Sequence, residues 1–378
     1  MMRIPRIYVV TASIYPLDNL VDLLRNESVE PGKILVIDEG DEKIRERNKE
    51  ILRRLGLEKI FFYGPGEREE WFKERYGSSY EKYLGLIPER SHAETSFGFL
   101  VSYEEGAEII VEVDDDVYSE HEYSFLKDHL SNLGASKGVR VSSSSSWVNT
   151  LDFLDINLNR SEKIFPRGHP YDPSVRDYRY EFIEDSGECI LNMGLWTESP
   201  DLDAVTILYH GGLEGVSRIR SSKLLVDKVF VDKGSFYAVC SMNTSFKKEL
   251  VPAFYQLYMR YMGIDRFDDI WSGIFAKKIA DELGDNMCLG KPALKHRKRP
   301  RSVWKDLRSE LEGMIINEKL WRIVSEAEIR SRTYIDAYRE LAEYLNKRIN
   351  EFSEEHHRKF MKTQIEKMIL WTEAIDLL

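Results

Sequence analysis

The sequence predicts an α/β protein, a Rossmann-type mixed sheet with helices on both faces followed by a C-terminal helical extension. Three observations lead there. Short apolar runs alternate with helical patterns through residues 6–113, which implies parallel strands joined by crossover helices. Residues 139–245 change to short strands separated by Ser-, Gly- and Pro-rich loops, a mixed half completing the sheet. Beyond residue 300 the apolar residues recur at intervals of three and four, the spacing of packed helices. Residues 1–300 are therefore expected to form the catalytic-size domain and 301–378 an extension packed on it.

RIYVVTAS (6–13) and KILVIDEG (33–40) are short enough, and apolar enough, to be strands buried on both faces. Leu17, Leu20, Leu23 and Leu24 place a helix between them, and DEKIRERNKEILRRLGL a second helix after them. KIFFYG (59–64) is the predicted third strand, GPGEREEWFKERYG a turn entering a polar helix, and SFGFLVSYEEGA a helix ahead of the strand EIIVEV. VRVSSS, VTILYH and SFYAVCSMN are predicted as further strands, and serines 142–146 as a polar loop. In the extension, Ile335, Tyr338, Leu341, Leu345 and Ile349 make one apolar stripe. Ser353 is the predicted N-cap of a last helix carrying Phe360, Ile365, Met368 and Ile369.

Composition narrows the function. With 42% hydrophobic and 31% charged residues the chain can bury a large core, and its net charge of −11 argues against a nucleic-acid partner. Cys189, Cys240 and Cys288 are widely spaced, which suggests neither a zinc site nor a disulfide framework. MMRIPRIYVVTASIY has only a short apolar segment, so no signal peptide is expected. No window approaches the roughly 18 apolar residues of a membrane span, and a cytoplasmic location is expected.

The triplet Asp114–Asp115–Asp116 follows the strand EIIVEV at the strand end where open α/β sheets bind ligands. Three adjacent carboxylates are reasonable there if a hard divalent cation, Mn²⁺ or Mg²⁺, neutralises them together with substrate phosphates. In an extended segment Asp114 and Asp116 share one side and become the metal-ligand candidates. Asp115 is left for a substrate hydroxyl. Asp38, closing the second strand, is a further candidate for the substrate. KHRKRPR (295–301) is the densest positive run: Lys295 and Arg297 are candidate diphosphate ligands and His296 a third metal ligand, the alternative being a solvated linker. Asp268 and Asp269 open a predicted helix, where the dipole alone favours acidic residues. The alternative is that one of them acts as a base or hydroxyl ligand. His356 and His357 are expected to be exposed.

In order along the chain, VIDEGD, FGFLVS, VDDDV, FPRGHPY, NMGLWTESPDLDA, VCSMNTSFKKEL, RFDDIWSG and WTEAIDLL resemble the reversibly glycosylated polypeptides, the plant family that includes UDP-arabinopyranose mutases. The resemblance implies a GT-A-like fold, a UDP-sugar substrate and a metal at the aspartate motif, and a homo-oligomer is compatible with it. It also implies that Arg167 of FPRGHPY is the self-glycosylation site and that Arg176 corresponds to a second functional arginine at longer spacing. His169 replaces the family's usual tyrosine, and Asn192 and Met193 precede GLW, so the sugar pocket departs from the family pattern. A guanidinium is a poor nucleophile unless a base removes its proton, so the plainer role for Arg167 is to neutralise the departing diphosphate. The expected activity is interconversion of pyranose and furanose forms of a UDP-sugar. The alternatives are transfer of the sugar to a separate glycan or lipid-linked acceptor, and a non-catalytic partner of an active subunit.

Overall fold

The computed structural model of the chain describes residues 5–56, 59–158 and 162–378. Leu57 of the second predicted helix and the first four residues of the opening segment lie outside that description. The N-terminal half is the predicted alternation: β1 (Ile7–Ser13), α1 (Asp18–Leu24), β2 (Lys33–Asp38), α2 (Glu42–Arg53), β3 (Ile60–Tyr63), α3 (Pro65–Tyr76), α4 (Tyr80–Leu84), α5 (Thr95–Glu104) and β4 (Ile109–Val113). β1 pairs in parallel with both β2 and β4, with Val9 opposite Ile34 and Val111. The side chains of Val9, Val10, Ile34, Leu35, Val36 and Ile37 are buried on both faces, as a doubly covered sheet requires. Each such side chain contributes about 1.5–3 kcal/mol relative to exposure. α5 lies directly on this sheet because Gly98 removes a side chain: a Cβ there would come within 2.5 Å of Val10 Cγ1. Asp114 thus leaves the C-terminal end of a central parallel strand.

The second half contains β5 (Val117–Tyr118), α6 (Phe125–Leu133), β6 (Ser136–Ser143), β7 (Leu154–Ile156), α7 (Pro173–Arg176), β8 (Tyr180–Gly187), β9 (Leu191–Glu198), α8 (Ala204–Tyr209), β10 (Ser221–Leu224), β11 (Lys228–Val231), β12 (Asn243–Lys247), α9 (Asp268–Leu283) and β13 (Met287–His296). The main path of the mixed sheet runs β3-β2-β1-β4-β12-β9-β13-β11-β6-β8. Direction reverses at β12, which is antiparallel to both β4 and β9, and β13 then runs parallel to β9. Two predicted strands differ. VTILYH is the helix α8, because Asp203 caps it by accepting from the Thr206 N–H at 2.7 Å, and a short apolar run suits either element. In SFYAVCSMN only Phe236 forms a bridge, with Trp147. The segment is buried but irregular, and regular pairing starts at Asn243.

The extension is α10 (Val303–Ser325), α11 (Tyr334–Lys347) and α12 (Glu355–Asp376). Tyr338, Leu341, Leu345 and Ile349 of the predicted stripe are buried, and they belong to the same continuous apolar core as the sheet. The α12 N-cap is Glu354 rather than Ser353, and no side chain caps it. His357 is buried and only His356 is substantially exposed, contrary to the expectation for the pair. Among the described residues no helix is long and apolar enough to cross a membrane.

Candidate active site

A cleft of about 320 Å³ opens where β4 ends, lined by the aspartate turn, the loop before α5, the start of α9 and the segment after β13. The aspartates diverge as the alternation requires. Asp114 and Asp116 line the cleft, whereas Asp115 turns aside to accept hydrogen bonds from Ser13 Oγ and Arg299 Nη1. Each carboxylate has its own basic neighbour. His92 Nε2 lies 2.9 Å from Asp114 Oδ1, Arg299 serves Asp115, and His296 Nε2 lies 3.8 Å from Asp116 Oδ2. Burial pushes the Asp116 carboxyl up. Burial also works against charge on Asp114, but His92 outweighs it and the net shift is down.

His92 carried no signal beyond being one histidine in SHAET. Its Nδ1 reaches Asp268 Oδ2 at 3.1 Å, so one ring joins the aspartate turn to the first turn of α9. Burial opposes charge on the ring, and the carboxylates of Asp114 and Asp268 outweigh it, raising His92 well above its ordinary value. Asp268 is therefore a ligand of His92 as well as a residue near the helix dipole. Behind it Glu112 is fully buried on β4, hydrogen-bonded by Gln256 Nε2 at 2.7 Å on both oxygens, and burial pushes its carboxyl to about 8.

Arg167 lines the opposite wall. Its backbone turn needs Gly168, which adopts φ +88° and lies against Ile270, 2.6 Å from where a Cβ would be. The guanidinium is bound on three sides. Nη2 lies 3.0 Å from Asp201 Oδ2 and 3.4 Å from Asp269 Oδ2, and Nη1 donates to the Arg266 carbonyl. Burial disfavours this cation, yet the two carboxylates hold its pKa well above the ordinary arginine value. The exchange depresses Asp201 despite its burial. Asp269 shifts the other way: burial pushes it up more than Arg167 pulls it down. Asp201, in the PDLD segment after β9, is a site residue that sequence reasoning did not single out.

The basic run divides between the cleft and the outer surface. His296 points inward, with Nδ1 held 2.7 Å from the Ser199 carbonyl and Nε2 left towards Asp116. Lys295 and Arg297 do not line the cleft: Lys295 Nζ pairs with Glu120 at 3.3 Å, and the Arg297 guanidinium lies over the Tyr118 ring at 4.5 Å. Lys298, Arg299 and Arg301 line it instead. Lys298 Nζ is buried with no hydrogen-bond partner, and burial pushes it down to about 8 against the pull of Asp201.

Two other candidates lie outside the cleft lining. Arg176 lies over the rings of Phe165 and Tyr171 at 4.4 and 3.8 Å and donates to the Pro170 carbonyl, a position fixed by stacking. Asp38 accepts from the Gly40 N–H at 2.9 Å and faces Arg45 Nε at 3.6 Å, and burial pushes it up. His169 packs between Trp147 and Phe165, so it too is away from the cleft.

Residues 85–377 match the family described as reversibly glycosylated polypeptide. A probable UDP-arabinopyranose mutase 1 of Pisum sativum is 28% identical over 297 residues, covering 74% of this chain and 70% of that one. The UDP-arabinopyranose mutase 1 of Arabidopsis thaliana is 26% identical over 292 residues, covering 74% and 71%. That of Oryza sativa subsp. japonica is 26% identical over 292 residues, covering 74% and 70%. Among solved structures, mouse xyloside xylosyltransferase 1 in its apo form aligns with 36% of this chain and 51% of its own at 15% identity, with a TM-score of 0.19 that carries no argument about the fold. The match through both the aspartate turn and the helical extension establishes that the chain belongs to the reversibly glycosylated polypeptide family.

Proposed function

We propose that this chain is a metal-dependent mutase interconverting the pyranose and furanose forms of a UDP-sugar. One observation carries the reading: Asp114, Asp116 and His296 line the same small cleft as Arg167, Asp201, Asp269 and the unpartnered Lys298. The donor types suit a divalent cation, two hard carboxylates and an imidazole whose Nδ1 is already committed to the Ser199 carbonyl, leaving Nε2 as the ligand atom, and the three would have to draw closer than they stand to share one ion. When bound, the cation supplies charge neutralisation to the diphosphate.

The interconversion breaks the bond between the anomeric carbon and the UDP oxygen, reopens and recloses the sugar ring on a different hydroxyl, and re-forms the first bond. UDP leaves with the electron pair and returns it, so no other reactant is consumed. Lys298 Nζ is the donor free to meet the departing diphosphate. Arg167, held charged, stabilises the negative charge that develops beside it. Asp269, with its raised carboxyl, accepts the proton of the hydroxyl that closes the new ring and returns it to the oxygen of the ring that opened. Self-glycosylation of Arg167 additionally requires Asp201 or Asp269 to take a guanidinium proton.

The test is incubation with Mn²⁺ and a panel of UDP-sugars without acceptor, resolving ring isomers and measuring intact protein mass. A new ring isomer supports the mutase. Hydrolysis alone, or a stable adduct that never returns its sugar to UDP, overturns it in favour of transfer to a separate acceptor.

A further inference from the structure

Among the described residues, the group that brings three metal-ligating atoms within 4.8 Å of one another lies outside the cleft, between α10 and α12: Glu312, His356 and His357. His356 Nε2 lies 2.9 Å and His357 Nε2 2.6 Å from the same oxygen, Glu312 Oε2. Neighbouring helical positions diverge by about 100°, so two adjacent histidines meeting at one point is not what helical periodicity alone produces. Here the rings close to 4.2 Å between centroids at the first turn of α12, and both turn the same nitrogen to a carboxylate more than forty residues earlier in the chain. His357 is buried and fixed, whereas His356 is 44% exposed and Glu312 36%, which gives an ion an approach from solvent.

We propose that Glu312, His356 and His357 form a second metal site, selective for a transition ion of the Zn²⁺ class and independent of the proposed activity. Two imidazoles and one carboxylate suit Zn²⁺, Ni²⁺ or Cu²⁺, and three protein ligands leave a coordination position for water. Hard ions such as Mg²⁺ prefer oxygen-rich shells, so the two sites differ in preference. An ion here ties the start of α12 to the middle of α10, two residues from Glu310, whose carboxylate accepts from Arg266 Nε at 2.6 Å beside the cleft. The site would therefore fasten two helices of the extension to each other, α10 being the one whose Glu310 reaches Arg266 at the cleft.

The experiment is calorimetric titration of Zn²⁺ into untagged, chelator-stripped full-length protein, comparing wild type, the cleft double variant Asp114→Asn/Asp116→Asn, and His356→Ala. One Zn²⁺ equivalent should persist in the cleft variant, and His356→Ala should weaken it by about tenfold or more, since even outer-shell losses cost about 10–100-fold. Zn²⁺ should raise the melting temperature of the cleft variant, and not of the cleft variant that also carries His356→Ala. Glu312→Gln, which keeps the size of the side chain, decides the matter if circular dichroism shows His356→Ala misfolded. Equal stoichiometry and affinity in wild type and the folded variant would overturn the site.

Discussion

His92 Nε2 sits 2.9 Å from Asp114 Oδ1, making a histidine the resident counter-charge of the first aspartate in the triplet. The same ring holds Asp268 through its other nitrogen, so His92 links the aspartate turn to α9. His92→Ala leaves both carboxylates without that partner and should lower metal-free stability by about 1–3 kcal/mol. Mn²⁺ should restore part of the loss. Thermal melts with and without Mn²⁺ check this, and an unchanged metal-free melting temperature would contradict it.

Glu112 gives a pH dependence with a definite sign. Its buried carboxyl is pushed to about 8, while in the unfolded chain it titrates near its ordinary value of about 4.3. Between those pH values the folded state holds a proton that the unfolded state has released, so this contribution to stability falls as pH rises through the window and is fully present below it. Glu112→Gln should flatten that part of the profile of melting temperature against pH. A variant profile parallel to wild type from pH 5 to 8 would remove Glu112 as the cause.

Gly168→Ala is expected to be costly on two counts, positive φ and the approach of Ile270. The backbone strain alone is about 1–3 kcal/mol, and Arg167 next to it should shift against Asp201. The melting temperature should fall, with turnover falling beyond what the folded fraction explains. Wild-type turnover in the folded variant would mean that the turn does not position Arg167.

Lys298→Met and Lys295→Ala should separate the two faces of the basic run. If Lys298 meets the diphosphate as proposed, its loss should cost about 10²–10³ in kcat, whereas Lys295, paired with Glu120, should be nearly silent. Steady-state kinetics on both variants decides it, and equal effects would reject the division.

Much of the site was legible because local rules place it. A buried apolar strand ending in three aspartates can only present them beyond its C-terminal end, and alternation sends Asp115 away from its neighbours. Lys298 was not legible beside Lys295 and Arg297, because β13 ends at His296 and the irregular chain after it turns consecutive Lys298 and Arg299 to the cleft. His92 and Asp201 were not legible because their partners are 22 and 34 residues away, and only tertiary folding brings them together. VTILYH was too short for its period to distinguish helix from strand, and the cap at Asp203 was the better guide.

The last helix reaches back across most of the chain. Trp371 Nε1 donates to the Val251 carbonyl and its ring stacks on Tyr255, while Tyr76 donates to the Ala374 carbonyl 298 residues later. On the ribosome, therefore, the aromatic surface around Tyr76 and Tyr255 has no native cover until translation has passed residue 374. Until then that surface is exposed apolar area of the kind that promotes association between chains.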